Sequence, residues 1–216
     1  MAAPRPIWEE VDADVGDLRF RTLLPDAEWH SLPASTRRRF SKRVRAGESV
    51  VYAGEIVEMR ASPLGRMLAQ LSRLIGGPLP LSSEVGVAAV VTVTEDVSGG
   101  GQAWTRLYCR RTALPQVIHS AKRFAGPTGL EEHIGGGFGM ALRVSARNGA
   151  LSFASAGYFL RLFGIRLRLP AWLAPGQLVV THAECGDGRF QFQLSFIHPL
   201  LGVLISQTAI FKEASP

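Results

Sequence analysis

Between residues 189 and 199 the apolar Phe190, Phe192, Leu194 and Phe196 alternate with Gln191, Gln193 and Ser195. This is the period of a β-strand with one face in a core and the other in water. Gly186-Asp187-Gly188 before it suits a tight hairpin turn, and His198-Pro199-Leu200-Leu201-Gly202 after it breaks the ladder and restarts it. Residues 177–212 therefore read as two or three adjoining strands. Upstream, Val85, Val87, Ala89, Val91 and Val93 share one face of a long strand from Glu84, and Ser98-Gly99-Gly100-Gly101 turns it into 103–110. Further strands are predicted over 117–124, 129–134, 138–146, 151–159 and 177–184, with turns at Gly126-Pro127 and Asn148-Gly149, the latter the strongest hairpin signal in the chain. Residues 158–172 are ambiguous: Leu160, Leu162, Ile165, Leu167 and Leu169 interleave with arginines until Pro170 and Pro175 stop any regular element.

The first third reads differently. Residues 1–22 form a weakly ordered lead-in of acids, prolines and single aromatics without a period. From Asp26 to Arg45 the pattern is helical, interrupted at Pro33, and its second part is a basic helix over 35–45 closed by Gly47, with Phe40 and Val44 on one face. A strand follows over 49–60. Ser62 then caps a helix whose first position is Pro63 and whose Leu64, Met67, Leu68, Leu71, Leu74 and Ile75 form a broad apolar stripe ended by Gly76-Gly77-Pro78.

About ten strands with short connections after two helices predict a mainly β (α+β) fold, either a strongly curved antiparallel sheet or a closed β-barrel. A two-sheet sandwich is the competing arrangement. The chain of 216 residues suits one domain over 23–213. Hydrophobic residues make up 46% and charged residues 19%, which excludes an intrinsically disordered chain. No apolar run approaches the roughly 20 residues of a membrane span, and residues 1–10 carry prolines and acids instead of a signal core. The expected location is cytoplasmic, or peripheral to the inner membrane. Cys109 and Cys185 are too few for a disulfide framework and read as free thiols. The net charge of +6 and a pI near 10.0 fit an anionic partner, although surplus charge also serves solubility.

Gly100-Gly101-Gln102-Ala103-Trp104-Thr105-Arg106, Gly188-Arg189-Phe190-Gln191-Phe192 and Pro199-Leu200-Leu201-Gly202 resemble the bacterial family known as domain of unknown function 4166. The helix from Pro63, the Gly129-Leu130-Glu131-Glu132 step and Leu169-Pro170-Ala171-Trp172-Leu173-Ala174-Pro175-Gly176 fit the same pattern in the same order, over roughly residues 23–211. The resemblance implies a stand-alone protein or a tail on a Rossmann-type oxidoreductase, hence a possible oxidoreductase partner, and assigns no catalytic residue. Ile205-Ser206-Gln207-Thr208-Ala209 stands where the family has a more basic and aromatic strand.

Strand face and residue type mark the candidate sites. Trp104, Arg106, Tyr108 and Arg110 share one strand face, and two arginines between aromatics suit a carboxylate or phosphate. The alternative is an outward face of long side chains packed across neighbouring strands. His182 and Glu184 share a face with Leu178 and Val180, a polar pair aimed at an apolar interior, either to orient a ligand or simply to satisfy each other. The local clusters His119-Ser120 and Glu131-Glu132-His133 place neighbours on opposite faces, and no Gly-x-Ser-x-Gly elbow is present, so no catalytic residue is assigned. Gly135-Gly136-Gly137-Phe138-Gly139 has only the glycine content of a phosphate loop and reads as a turn or bulge. No metal spacing or cofactor motif is read, and none is expected. Arg37, Arg38 and Arg39 on one helix, with Arg161, Arg166, Arg168 and Trp172 further on, suit an anionic membrane surface; no nucleic-acid motif accompanies them. The favoured function is a non-catalytic module that holds a hydrophobic or lipid-like small molecule in a barrel cavity, with the helix from Pro63 as a lid. The alternatives are an enzyme acting on a hydrophobic substrate and an accessory domain of an oxidoreductase.

Overall fold

A wide antiparallel sheet with one apolar face covers that face most economically by rolling up on itself. The computed structural model describes residues 16–214. Its strands are β1 (Ser49–Ala61), β2 (Val87–Asp96), β3 (Gly101–Tyr108), β4 (Gln116–Arg123), β5 (Glu131–Gly135), β6 (Phe138–Arg147), β7 (Ala150–Leu162), β8 (Ile165–Arg168), β9 (Gln177–Gly186), β10 (Arg189–His198) and β11 (Gly202–Glu213). Ten of them close into an antiparallel barrel, which settles the choice between barrel, open sheet and sandwich. The long β7 makes the closure possible. It pairs with β6 along one edge, while its other edge is shared: Leu151–Ala154 meet β9, and Phe159–Leu162 meet the extra strand β8.

Most connections are hairpins of the kind the sequence implies. Asn148 and Gly149 both take positive φ, as do Gly186, Asp187 and Gly188. The ambiguous stretch resolves the same way, because Phe163 and Gly164 turn β7 into β8 with positive φ at both. β2 starts at Val87, so Val85 lies outside the strand and is exposed. Val87, Ala89, Val91 and Val93 are buried together with Phe190, Phe192, Leu194 and Phe196 in the barrel interior.

The helices are α1 (Asp26–Ser31), α2 (Ala34–Phe40) and α3 (Pro63–Leu71), the last extended by a 3-10 turn at Ser72–Ile75. The basic helix stops at Phe40, five residues short of the predicted Arg45. Beyond Phe40 the Ser41 carbonyl accepts from the Asp17 amide, and Val44 reaches the barrel interior beside Val50 and Tyr52. Continuing the helix would instead stack more like charges on Arg37–Arg39. α3 begins as predicted, with the Ser62 hydroxyl accepting from the Gly65 amide and proline in the first turn. Gly65 also lets the helix lie directly on β11, where a Cβ would collide with the Leu204 carbonyl.

The two ends of the barrel are closed differently. At one end α1, α2 and residues 16–24 form a plug: Phe20, 1% exposed, sits edge-on against Phe40, Phe124 and Phe153 at 4.9–6.1 Å between ring centres. Trp29 and Leu32 join the same cluster, and Glu28 accepts from the Ala146 amide. Of the predicted weakly ordered lead-in, residues 1–15 lie outside the described residues, and the rest belongs to this plug. The other end is crossed by α3, by the Pro78–Leu81 segment and by the β8–β9 loop. The Gln116 side chain holds the middle piece, donating to the Leu79 carbonyl and accepting from the Leu81 amide, both at 2.9 Å.

Candidate functional site: a barrel cavity

Under α3 the interior is not filled. A cavity of about 350 Å³ is walled by Tyr108, Ile118, Met140, Leu178, Val180, Phe192, Leu194 and Phe196, and roofed by Leu68, Leu71, Leu74, Ile75, Leu169 and Leu173. Its volume is at the lower end of the range for small-molecule sites. Tyr158 pins the roof on one side, its hydroxyl donating to the Gly176 carbonyl at 2.9 Å.

The polar part of the wall comes from three neighbouring strands. Register sets Ser120 on β4 opposite Trp104 and diagonal to Arg106 on β3, and Glu132 on β5 opposite Lys122, with Arg106, Ser120 and Glu132 all turned inward. Arg106 Nη1 donates to Ser120 Oγ at 3.0 Å, the Ser120 hydroxyl donates to Glu132 Oε1 at 2.7 Å, and Lys122 Nζ lies 3.3 Å from the same oxygen. Arg106 Nη2 reaches it at the longer distance of 3.5 Å. Burial alone would raise the Glu132 pKa, but the Lys122 and Arg106 charges overcome this and hold it at about 2. Lys122, also buried, is pushed below its ordinary value by desolvation, against the pull of Glu132, and its ammonium lies 4.7 Å from the centre of the Trp104 ring.

Deeper in, below Arg106, Trp104 and His182 meet in an aromatic chamber. His182 is stacked on Phe190 and edge-on to Phe40 and Phe192, with ring centres 5.2–5.8 Å away. Its Nδ1 and the Trp104 Nε1 have no hydrogen-bond partner among the described residues. Burial, reinforced by Arg39, Lys122 and Arg106, holds the imidazole well below its ordinary pKa, so it is neutral. Glu184 does not orient it: at the plugged end Glu184 Oε1 accepts from Arg39 Nη2 at 2.7 Å and from the Thr36 hydroxyl at 3.0 Å.

The predicted residues thus divide. Trp104, Arg106 and Tyr108 face inward, so the outward reading of that strand face is overturned; the alternation was right, and barrel closure decides which side is inside. Arg110 lies beyond the end of β3. His182 is interior as expected. Arg39 is not part of a surface, because its guanidinium lies 3.7 Å over the Phe190 ring and is paired with Glu184. Arg37 and Arg38 stay on the plugged end, whereas Arg161, Arg166, Arg168 and Trp172 lie around the cavity mouth. Arg166 is also bound at 3.0 Å to Glu131, which faces out of the barrel and fixes β8 against it. His119 faces outward next to Thr105. Ser120, Lys122, Glu132 and Tyr158 were not predicted as site residues. Their signal was the shared alternation of Ile118, Ser120 and Lys122, which looks like a wet face until β5 supplies a carboxylate. Both cysteines are free. Among the described residues no group of three His, Cys, Asp or Glu side chains suits a metal ion, and no helix is long and apolar enough to cross a membrane.

Around the mouth the apolar surface is not covered. Leu74 is 85% and Trp172 81% exposed, Phe163 is fully exposed, and Met67, Ile165, Leu200 and Leu201 add to the same ring. The segments that carry it, 63–75, 159–176 and 198–205, contain Arg66, Arg73, Arg161, Arg166 and Arg168 and no acid.

No curated protein and no solved structure matches the chain. The profile of the family described as Domain of unknown function (DUF4166) matches residues 32–211, which takes in the barrel, α3 and all the cavity-lining residues, and the chain belongs to that family.

Proposed function

We propose that the protein is a non-catalytic binding module that holds a hydrophobic or lipid-like small molecule in the barrel and exchanges it at an anionic membrane surface. The observation that carries this reading is the asymmetry of the barrel: an apolar cavity sealed at one end and roofed at the other by short segments whose outer faces are themselves apolar. Exposed apolar patches of this extent are uncommon on soluble monomers unless they serve an interaction. Five arginines and no acid on the same segments complement a negatively charged bilayer, which leaves α3 as a lid between the lipid phase and the cavity. A catalytic reading has less support, since His182 lacks a carboxylate to orient it.

The test is native mass spectrometry of freshly purified protein, followed by organic extraction and identification of what is released. A stoichiometric hydrophobic passenger, displaced by an environment-sensitive naphthylamine dye, is the expected result. Protein that is empty and takes up no dye would overturn the proposal.

A further inference from the structure

The cavity is apolar on every side except one, where Arg106, Ser120 and Glu132 line it and Lys122 shares the Glu132 carboxylate, so that the cluster holds two cations to one anion. The Arg106 guanidinium has five N–H donors and spends two of them on side chains among the described residues, one on Ser120 and one, at 3.5 Å, on Glu132. The Glu132 carboxylate is itself oversubscribed: a single oxygen receives Ser120, Lys122 and Arg106. Thus one anion serves two cations, and although Arg106, Ser120 and Glu132 all line the large chamber, Arg106 alone of the three also borders the aromatic chamber of Trp104 and His182. A guanidinium facing an apolar cavity with unspent donors is costly unless an acceptor meets it. Its fork geometry matches a carboxylate.

We infer that the natural occupant is an amphipathic monoanion, a long-chain carboxylate, whose head group takes the unspent edge of Arg106 while its tail lies along Ile118, Leu194 and Phe196 under α3. This rests on the proposal that the cavity binds a hydrophobic molecule, and adds that the head group is chosen by charge. Neutral His182, behind Arg106, supplies no competing charge, and Tyr108 beside it bounds the head-group end of the chamber.

Three probes with the same tail separate the two statements: dodecanoate, dodecanol and dodecyltrimethylammonium, titrated calorimetrically into the delipidated full chain. The expected order is dodecanoate over dodecanol by at least about tenfold, the margin of a charge-assisted hydrogen bond, with the cation weakest. Arg106→Met is expected to remove the preference for dodecanoate over dodecanol. Equal binding of all three would overturn the head-group inference and leave the cavity reading standing. Binding of none would overturn both. Should Arg106→Met fail to fold, carboxyl-labelled dodecanoate bound to the unmodified protein is followed by carbon NMR against pH. A carboxylate that stays ionised below its value in water supports the inference, and one whose pKa rises on binding overturns it.

Discussion

The plugged end and the open end of this barrel use similar residues to opposite effect. At the plug, Phe20, Trp29, Leu32 and Phe40 are buried against one another, and four ion pairs stand nearby: Asp17 with Arg19, Arg39 with Glu184, Arg123 with Asp96, Lys42 with Glu213. At the mouth, Leu74, Phe163, Trp172 and Leu200 have little to cover them, and most of the arginines on those segments have no acid beside them. The difference shows that surface apolarity here is local. It is concentrated where the chain also leaves space inside, as expected of a surface that opens onto a binding site and not of a poorly finished core.

If this contrast is right, the two ends respond separately to mutation. Phe20→Ala should lower unfolding stability by about 3–5 kcal/mol in urea titrations while the folded fraction keeps its dye affinity; a parallel loss of affinity would mean that the plug shapes the cavity. Gly65→Val should cost about 1–3 kcal/mol by forcing α3 off the Leu204 carbonyl, and unlike the plug variant it should change dye affinity. Converting Arg161 and Arg168 together to glutamine should weaken partitioning onto anionic vesicles by about 2 kcal/mol, near thirtyfold. The same change at Arg37 and Arg38 should leave flotation with vesicles unaltered, and equal losses from the two pairs would abolish the distinction between the ends.

A pH series sharpens the comparison from the interior. His182 has a folded pKa well below the ordinary 6.5, so below pH 6.5 the unfolded chain binds a proton that the folded chain refuses. Stability should therefore be full above pH 6.5 and fall as pH drops, by up to about 1.4 kcal/mol per unit, with His182→Phe flattening the slope. Glu132, held at about 2 against an ordinary 4.5, adds a second loss as pH falls from 4.5 towards 2. The smallest effect belongs to the mouth: Leu74→Ser should stay within about 0.5 kcal/mol of the parent stability while weakening vesicle binding.

Much of this was legible in the chain because hairpins are local. The Phe190–Phe196 alternation, the turns at Asn148-Gly149 and Gly186-Asp187-Gly188, and the Ser62-Pro63 helix start each depend on residues a few positions apart, and each is found where expected. What could not be read depends on distant partners. Whether Arg106 faces in or out is set by barrel closure, through the pairing of Tyr52 with Glu213 and its neighbours. The Ser120–Glu132–Lys122 cluster exists only because β4 and β5 meet in register, so that two clusters set aside separately contribute one residue each to a single network. Arg39 looked like surface because its aromatic cover and its acid come from 145 or more residues away.

The closing seam has a consequence for how the molecule forms. Every strand pairing except one joins elements adjacent or nearly adjacent in sequence, and only β1 with β11 must bring together the two halves of the chain. The hairpins can therefore assemble early, whereas the seam carries the main loop-closure entropy and dominates the contact order. Substitutions along β1 and β11 that weaken the seam without touching the hairpins are expected to speed unfolding far more than they slow refolding, the signature of a contact made after the folding barrier has been crossed.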